Sequence, residues 1–134
     1  MYTSGPRKGE ACVAKEFKTG SVFEEYYFQE ELNIVERSQK IVDDFAEAKV
    51  ISSSGNSRIL LNTPEIWTFD YTEEKCLTEP MIEKFEKFNS NTGWAPLTGT
   101  AWSEAMQALS HFSYHDSQGQ FLLCDIQGGS YRNG

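Results

Sequence analysis

In the stretch Ala11-Cys12-Val13-Ala14-Lys15-Glu16-Phe17, apolar residues at 11, 13 and 17 repeat with a period near two. That period predicts a strand whose inner face carries Val13, Phe17 and, unusually, Lys15. An ammonium on an inner face needs a partner, so Lys15 is either paired or a solvent-facing lysine on an edge strand. The nine residues at the N-terminus are mostly polar, with two Gly and one Pro, and predict a loose lead-in. Over residues 21–49 the period changes. Phe28, Leu32, Val35, Val42 and Phe45 recur mostly three, four or seven apart, as the buried stripe of an amphipathic helix does. Ser21 and Glu24 form a capping box at its start. A break near residues 36–39 would suit a helix of this length.

Ser52-Ser53-Ser54-Gly55-Asn56 is a turn cluster. The apolar residues of 58–71, interrupted by Asn62-Thr63-Pro64, predict two strands around that turn. Residues 76–82 predict a further strand, which Pro80 ends or leaves at a sheet edge. Residues 89–93 form a loop by composition. A second helix is predicted from about Thr100 or Ala101 to Phe112, with Trp102, Met106, Leu109 and Phe112 as its apolar stripe. Residues 120–125 contain Phe121-Leu122-Leu123 and predict a strand buried on both faces.

A length of 134 residues with 39% apolar and 13% aromatic content implies one domain with a real core, and excludes a disordered tail. Twenty acidic residues against twelve basic ones give a net charge of −8. This speaks against a nucleic-acid surface, although a single cleft for phosphate needs only a few well-placed cations. No apolar run is long enough to span a membrane, and the first residues lack the apolar core of a signal peptide. Cys12, Cys76 and Cys124 are odd in number and widely spaced, which predicts reduced thiols and a cytoplasmic location.

Walker A, Gly-x-Gly-x-x-Gly, Gly-x-Ser-x-Gly and Cys-x-x-Cys patterns are absent. Three features bear on chemistry. Asp125 ends an apolar segment and is followed by Gln127 and two glycines. Such a carboxylate either helps to hold Mg²⁺, with Gln127 adding a neutral oxygen, or caps a turn at Gly128. His111 and His115 stand four apart, a spacing that suits either a metal or an ordinary helix face, with Asp116 as a third candidate ligand. Lys15 and a carboxylate of the following helix, above all Glu31, would match the lysine–glutamate pair with which protein kinases present an ammonium to ATP phosphates. A chance pairing of strand and helix would look the same.

Taken together, these residues resemble the atypical alpha-kinase family, which includes myosin heavy chain kinase, the elongation factor kinase and the channel-kinases. The strongest match is Ala108-Leu109-Ser110-His111-Phe112-Ser113-Tyr114, followed by Leu122-Leu123-Cys124-Asp125-Ile126-Gln127-Gly128, with His111 and Asp125 fourteen apart as in the family. Val13-Ala14-Lys15 resembles the family's nucleotide-lysine strand. Glu79-Pro80-Met81, with Lys87-Phe88-Asn89-Ser90-Asn91-Thr92-Gly93, resembles its hinge and Asn-rich loop.

The resemblance implies an α+β, kinase-like fold: an antiparallel N-terminal sheet with the long helix, the N-lobe at about 10–82, and the start of a C-lobe at about 83–134. It implies an ATP-dependent protein serine/threonine kinase or, alternatively, a non-catalytic nucleotide-binding or scaffold remnant of one. Its partners would be ATP and a protein substrate. Residue by residue, Lys15 would contact ATP phosphates with Glu31 positioning it, and Glu79 and the Met81 backbone would face the adenine. Asp125 would act at the phosphoryl-transfer centre, and Gln127 with Asp125 would bind Mg²⁺. His111 would be one ligand of the zinc found in the complete family domain. The family's second metal-binding Asp, its Gly-rich substrate loop, and the His and two Cys that complete the zinc site have no counterpart in these 134 residues. The family's Gly- and Arg-containing strands are shortened to Gly5-Pro6-Arg7-Lys8-Gly9.

Overall fold

Strand β1 (Cys12–Lys15) lies antiparallel to β3 (Lys75–Pro80), which also pairs with β2 (Glu65–Thr68), giving a sheet of order β1-β3-β2. The structure, a computed structural model, describes residues 1–16, 24–51 and 57–132. The architecture is α+β. Pro80, which has no N–H to donate, ends β3 opposite Cys12, the position a proline tolerates best in a ladder. The Met81 N–H then donates to the Ala11 carbonyl at 3.1 Å and carries the pairing one step further. Because Val13 pairs with Glu79 and Lys15 with Leu77, these four side chains share one face of the sheet.

Two sequence expectations fail here. Of the two strands predicted within 58–71 only β2 forms, and residues 57–64 are irregular. Asn62 Nδ2 donates to the Pro80 carbonyl at 2.8 Å, so a side chain, not a ladder, fixes this segment, and Pro64 has no N–H for one. The supposedly loose N-terminus is ordered. Tyr2 donates its N–H to the Glu10 carbonyl and accepts from the Gly9 N–H. Its ring is buried and lies 5.6 Å from that of Trp67. Gly5 and Gly9 have φ of 78° and 90°, which lets so short a loop close.

Helix α1 (Glu24–Glu47) runs without a break through residues 36–39. The expected cap at Ser21, like Phe17, lies outside the described residues. The predicted stripe is the buried one: Phe28, Val42 and Phe45 are buried, Leu32 and Val35 half-buried, and Ser38 and Ile41 join them. Close contacts divide the chain into two compact units, one of residues 1–37 and 60–81, the other of 38–59 and 82–134. Phe28 belongs to the first unit. Ile41, Val42 and Phe45 belong to the second, where the Phe45 ring meets that of Phe112 edge-on at 5.3 Å.

Also in the second unit is α2 (Ala101–Asp116), capped by Thr100, whose hydroxyl accepts the Ser103 N–H at 3.2 Å. It extends four residues beyond the predicted end. It stops where Gln118 and Gly119 turn left-handed and the Gly119 N–H returns to the Tyr114 carbonyl at 2.7 Å. A second, minimal sheet pairs β4 (Glu86–Lys87) with β5 (Gln127–Gly128).

The strand expected at 120–125 is absent, and Phe121 and Leu122 are exposed rather than buried. With no neighbouring strand, this segment finds its hydrogen bonds on side chains of α2 and its cap. Ser117 Oγ accepts the Phe121 N–H at 2.9 Å. The fully buried Ser113 Oγ accepts the Leu123 N–H at 2.8 Å while donating to the Ser110 carbonyl.

The three cysteines are unpaired, with Cys124 exposed, Cys12 half-buried and Cys76 buried. Burial, and after it the negative charge of Glu16, pushes the Cys76 thiol above its ordinary value. The thiolate is the reactive species. Iodoacetamide at pH 8, followed by mass spectrometry, should therefore modify Cys124 first and Cys76 last, about tenfold or more slower. Equal rates would mean that the sheet opens readily.

Candidate active site

The candidate residues fall into two groups, one in each unit. In the first unit, Lys15 and Glu79 are diagonal neighbours on adjacent strands, and their side chains meet at 3.2 Å between Nζ and Oε1. The lysine is paired, as one of the two readings of its position required. Its ion pair among the described residues is with Glu79 of β3, not with Glu31 of α1, so the expected lysine–helix pairing is replaced by a strand–strand one. Glu31 is half-buried on its helix. With side chains 51% and 27% exposed, the Lys15–Glu79 pair adds little stability, and the ammonium is free to change partner. Met81 is exposed, and its N–H is committed to Ala11.

In the second unit, Asp125 occupies a left-handed turn with φ of 57°, a conformation that Asp tolerates and most side chains do not. It does not end a strand. Its carboxylate is about half exposed and accepts an ion pair from Lys87 Nζ at 3.0 Å. Lys87 lies on β4 directly opposite Gln127 on β5, so one two-residue ladder gathers Lys87, Asp125 and Gln127. Nothing in the sequence announced Lys87 as the partner of Asp125. The residues are far apart in the chain, and a two-residue strand has no period to read.

A Mg²⁺ ion keeps several waters and needs only one or two protein oxygens beside a substrate phosphate. The Asp125 carboxylate and the Gln127 amide, both exposed, are such a donor set. Zinc is different. His111 and His115 are exposed with ring centroids 4.6 Å apart. Among the described residues, however, no group of three or more His, Cys, Asp and Glu could hold a metal ion. Two nitrogens do not make the four-ligand structural site zinc prefers, so the zinc drawn from the resemblance has no ligand set here.

The sequence profile of the alpha-kinase family matches residues 1–133. The chain belongs to the alpha-kinase family. It is 42% identical to the alpha-protein kinase vwkA of Dictyostelium discoideum over 45 residues, 34% of this chain and 7% of that protein. It is 33% identical to the human transient receptor potential cation channel subfamily M member 7 over 58 residues, 43% of this chain and 3% of that protein. The alpha-kinase domain of myosin-II heavy chain kinase A, solved as the apoenzyme, superposes with a TM-score of 0.66 at 22% identity. The match covers 97% of this chain and 54% of that domain, so the fold is shared and the chain spans about half the length of the solved domain. No helix among the described residues is long and apolar enough to cross a membrane.

Proposed function

We propose that the chain carries the nucleotide-binding and phosphoryl-transfer residues of an ATP-dependent protein serine/threonine kinase of the alpha-kinase type. The observation that carries this reading is the Asp125 turn. There a carboxylate is held exposed in a left-handed conformation, two residues before Gln127 and against the Lys87 ammonium. Phosphoryl transfer asks the protein for positioning and for charge placed where charge develops, and little covalent chemistry. In this reading Asp125 accepts the substrate hydroxyl's proton or orients that hydroxyl, and the Lys87 ammonium at 3.0 Å helps to hold the carboxylate in place. Bound Mg²⁺ would be held by Asp125 and Gln127 and would neutralise phosphate charge. Lys15 exchanges the Glu79 carboxylate for ATP phosphate oxygens. With its N–H taken, Met81 offers a nucleotide base its carbonyl alone.

The test is phosphorylation of a generic basic peptide in Mg-ATP, with nucleotide affinity titrated in parallel. Charge-assisted hydrogen bonds from an ammonium are each worth roughly 1.5–3 kcal/mol. Lys15→Ala should therefore weaken Mg-ATP binding about tenfold to a hundredfold and abolish turnover with it. A wild-type chain that binds no Mg-ATP would overturn the reading. Binding with no turnover in the full native polypeptide would instead support a nucleotide-binding scaffold.

A further inference from the structure

Asn89 is buried and has three side-chain hydrogen bonds, one into the Asp125 turn and two onto α2. Its Oδ1 accepts the Ile126 N–H at 2.9 Å. Its Nδ2 donates to Gln107 Oε1 at 3.1 Å and to Ser110 Oγ at 2.9 Å, both on α2. The amide orientation is forced. Ile126 N–H can only donate, so it must face the Asn89 oxygen. Gln107 spends its own Nε2 on the Phe88 carbonyl at 2.6 Å, so its oxygen must face the Asn89 nitrogen. On the other side, the Phe88 and Asn89 N–H groups both donate to the Ile126 carbonyl, at 2.9 and 3.3 Å.

Ile126 is the residue between Asp125 and Gln127. Its N–H belongs to the peptide plane that follows Asp125, and its carbonyl belongs to the plane that precedes Gln127. Asn89 and its neighbour therefore pin both peptide planes between the two candidate site residues. A left-handed, non-glycine residue persists only where its surroundings over-determine it, and at Asp125 this bond supplies that constraint. We infer that Asn89, braced by Gln107, is a positioning residue that sets the spacing and orientation of Asp125 and Gln127. It acts through the backbone of Ile126 and touches no substrate. The inference rests on the kinase reading of Asp125 and Gln127.

The test compares Asn89→Ala with Ser113→Ala in the full native polypeptide. Ser113 holds the same segment, at Leu123, through an equally buried hydrogen bond, but two residues upstream of Asp125. Both variants should lower the melting temperature. Only Asn89→Ala should expose the Ile126 amide to hydrogen exchange. Only Asn89→Ala should lower kcat, by about tenfold to a hundredfold, the scale of a misplacement near 1 Å. It should also raise the Mg²⁺ concentration needed for half-maximal rate, while leaving KM for the peptide and metal-free nucleotide binding unchanged. If Asn89→Ala does not fold, Asn89→Ser, too short to reach Ile126 yet polar toward α2, should give the same pattern. The inference is overturned if kcat falls equally in both variants in step with melting temperature, or if Ile126 is exposed and kcat holds. A wild-type protein with no turnover overturns the kinase reading itself, an outcome distinguishable because it precedes any substitution.

Discussion

Asp125→Asn lowers turnover by about a hundredfold or more while affecting nucleotide affinity far less and leaving melting temperature nearly unchanged. The magnitude is that seen when one preorganised charge is removed from a transition state. The separation of effects follows from the site's geometry. Asn tolerates the left-handed conformation as well as Asp does, so the φ of 57° costs the variant nothing new. The ion pair lost with Lys87 is roughly half exposed on both sides, and such pairs are worth about 0–1 kcal/mol. The amide keeps the size and one acceptor oxygen. What disappears is the negative charge. Rates of peptide phosphorylation, read beside a nucleotide titration and a thermal melt, check all three expectations. Near wild-type rates would remove Asp125 from the chemistry.

The sequence made the two helices legible because their burial depends on a period that survives in one dimension. Phe28, Val42 and Phe45 fall on one stripe of α1, and Met106 and Leu109 on one stripe of α2. Strands are less legible, for identifiable reasons. Residues 120–125 have the apolar composition of a buried strand, but a strand needs a neighbour, and here Ser113 and Ser117 satisfy the backbone in its place. Residues 59–61 are apolar too, yet form no strand. Tyr2 looked like part of a polar lead-in because its partner, Trp67, is distant in sequence. Among the candidate residues, Asp125 and Gln127 could be singled out from local spacing. Lys87, Asn89 and the Lys15–Glu79 pairing could not, since each depends on a strand register or a loop-to-helix hydrogen bond that no local pattern encodes.

Phe45→Ala should destabilise the second unit by about 3–5 kcal/mol, the usual cost of deleting a buried phenyl ring. Phe45 is 2% exposed, and it faces Phe112 at 66° between ring planes, an edge-on contact that adds about 0.5–1.5 kcal/mol beyond burial. Total stabilities run to about 5–15 kcal/mol, so one such loss is a large share of what holds the unit together. Each kcal/mol moves the melting temperature of a domain this size by roughly 2–8 °C, so a fall of about 10 °C or more is expected. Tyr114→Ala, at an exposed position on α2, serves as the control and should stay within about 0.5 kcal/mol. A double-mutant cycle with Phe112→Ala isolates the ring–ring contact, and its coupling should be positive. The consequence reaches the site. Phe112 lies on the same helix as Gln107, Ser110 and Ser113, whose side chains hold Asn89 and the segment leading to Asp125. Loosening that helix should therefore raise hydrogen exchange at Leu123 and Ile126 before the unit unfolds globally. A loss below about 1.5 kcal/mol in Phe45→Ala, with Leu123 and Ile126 as protected as before, would show that α2 does not depend on α1 for its place.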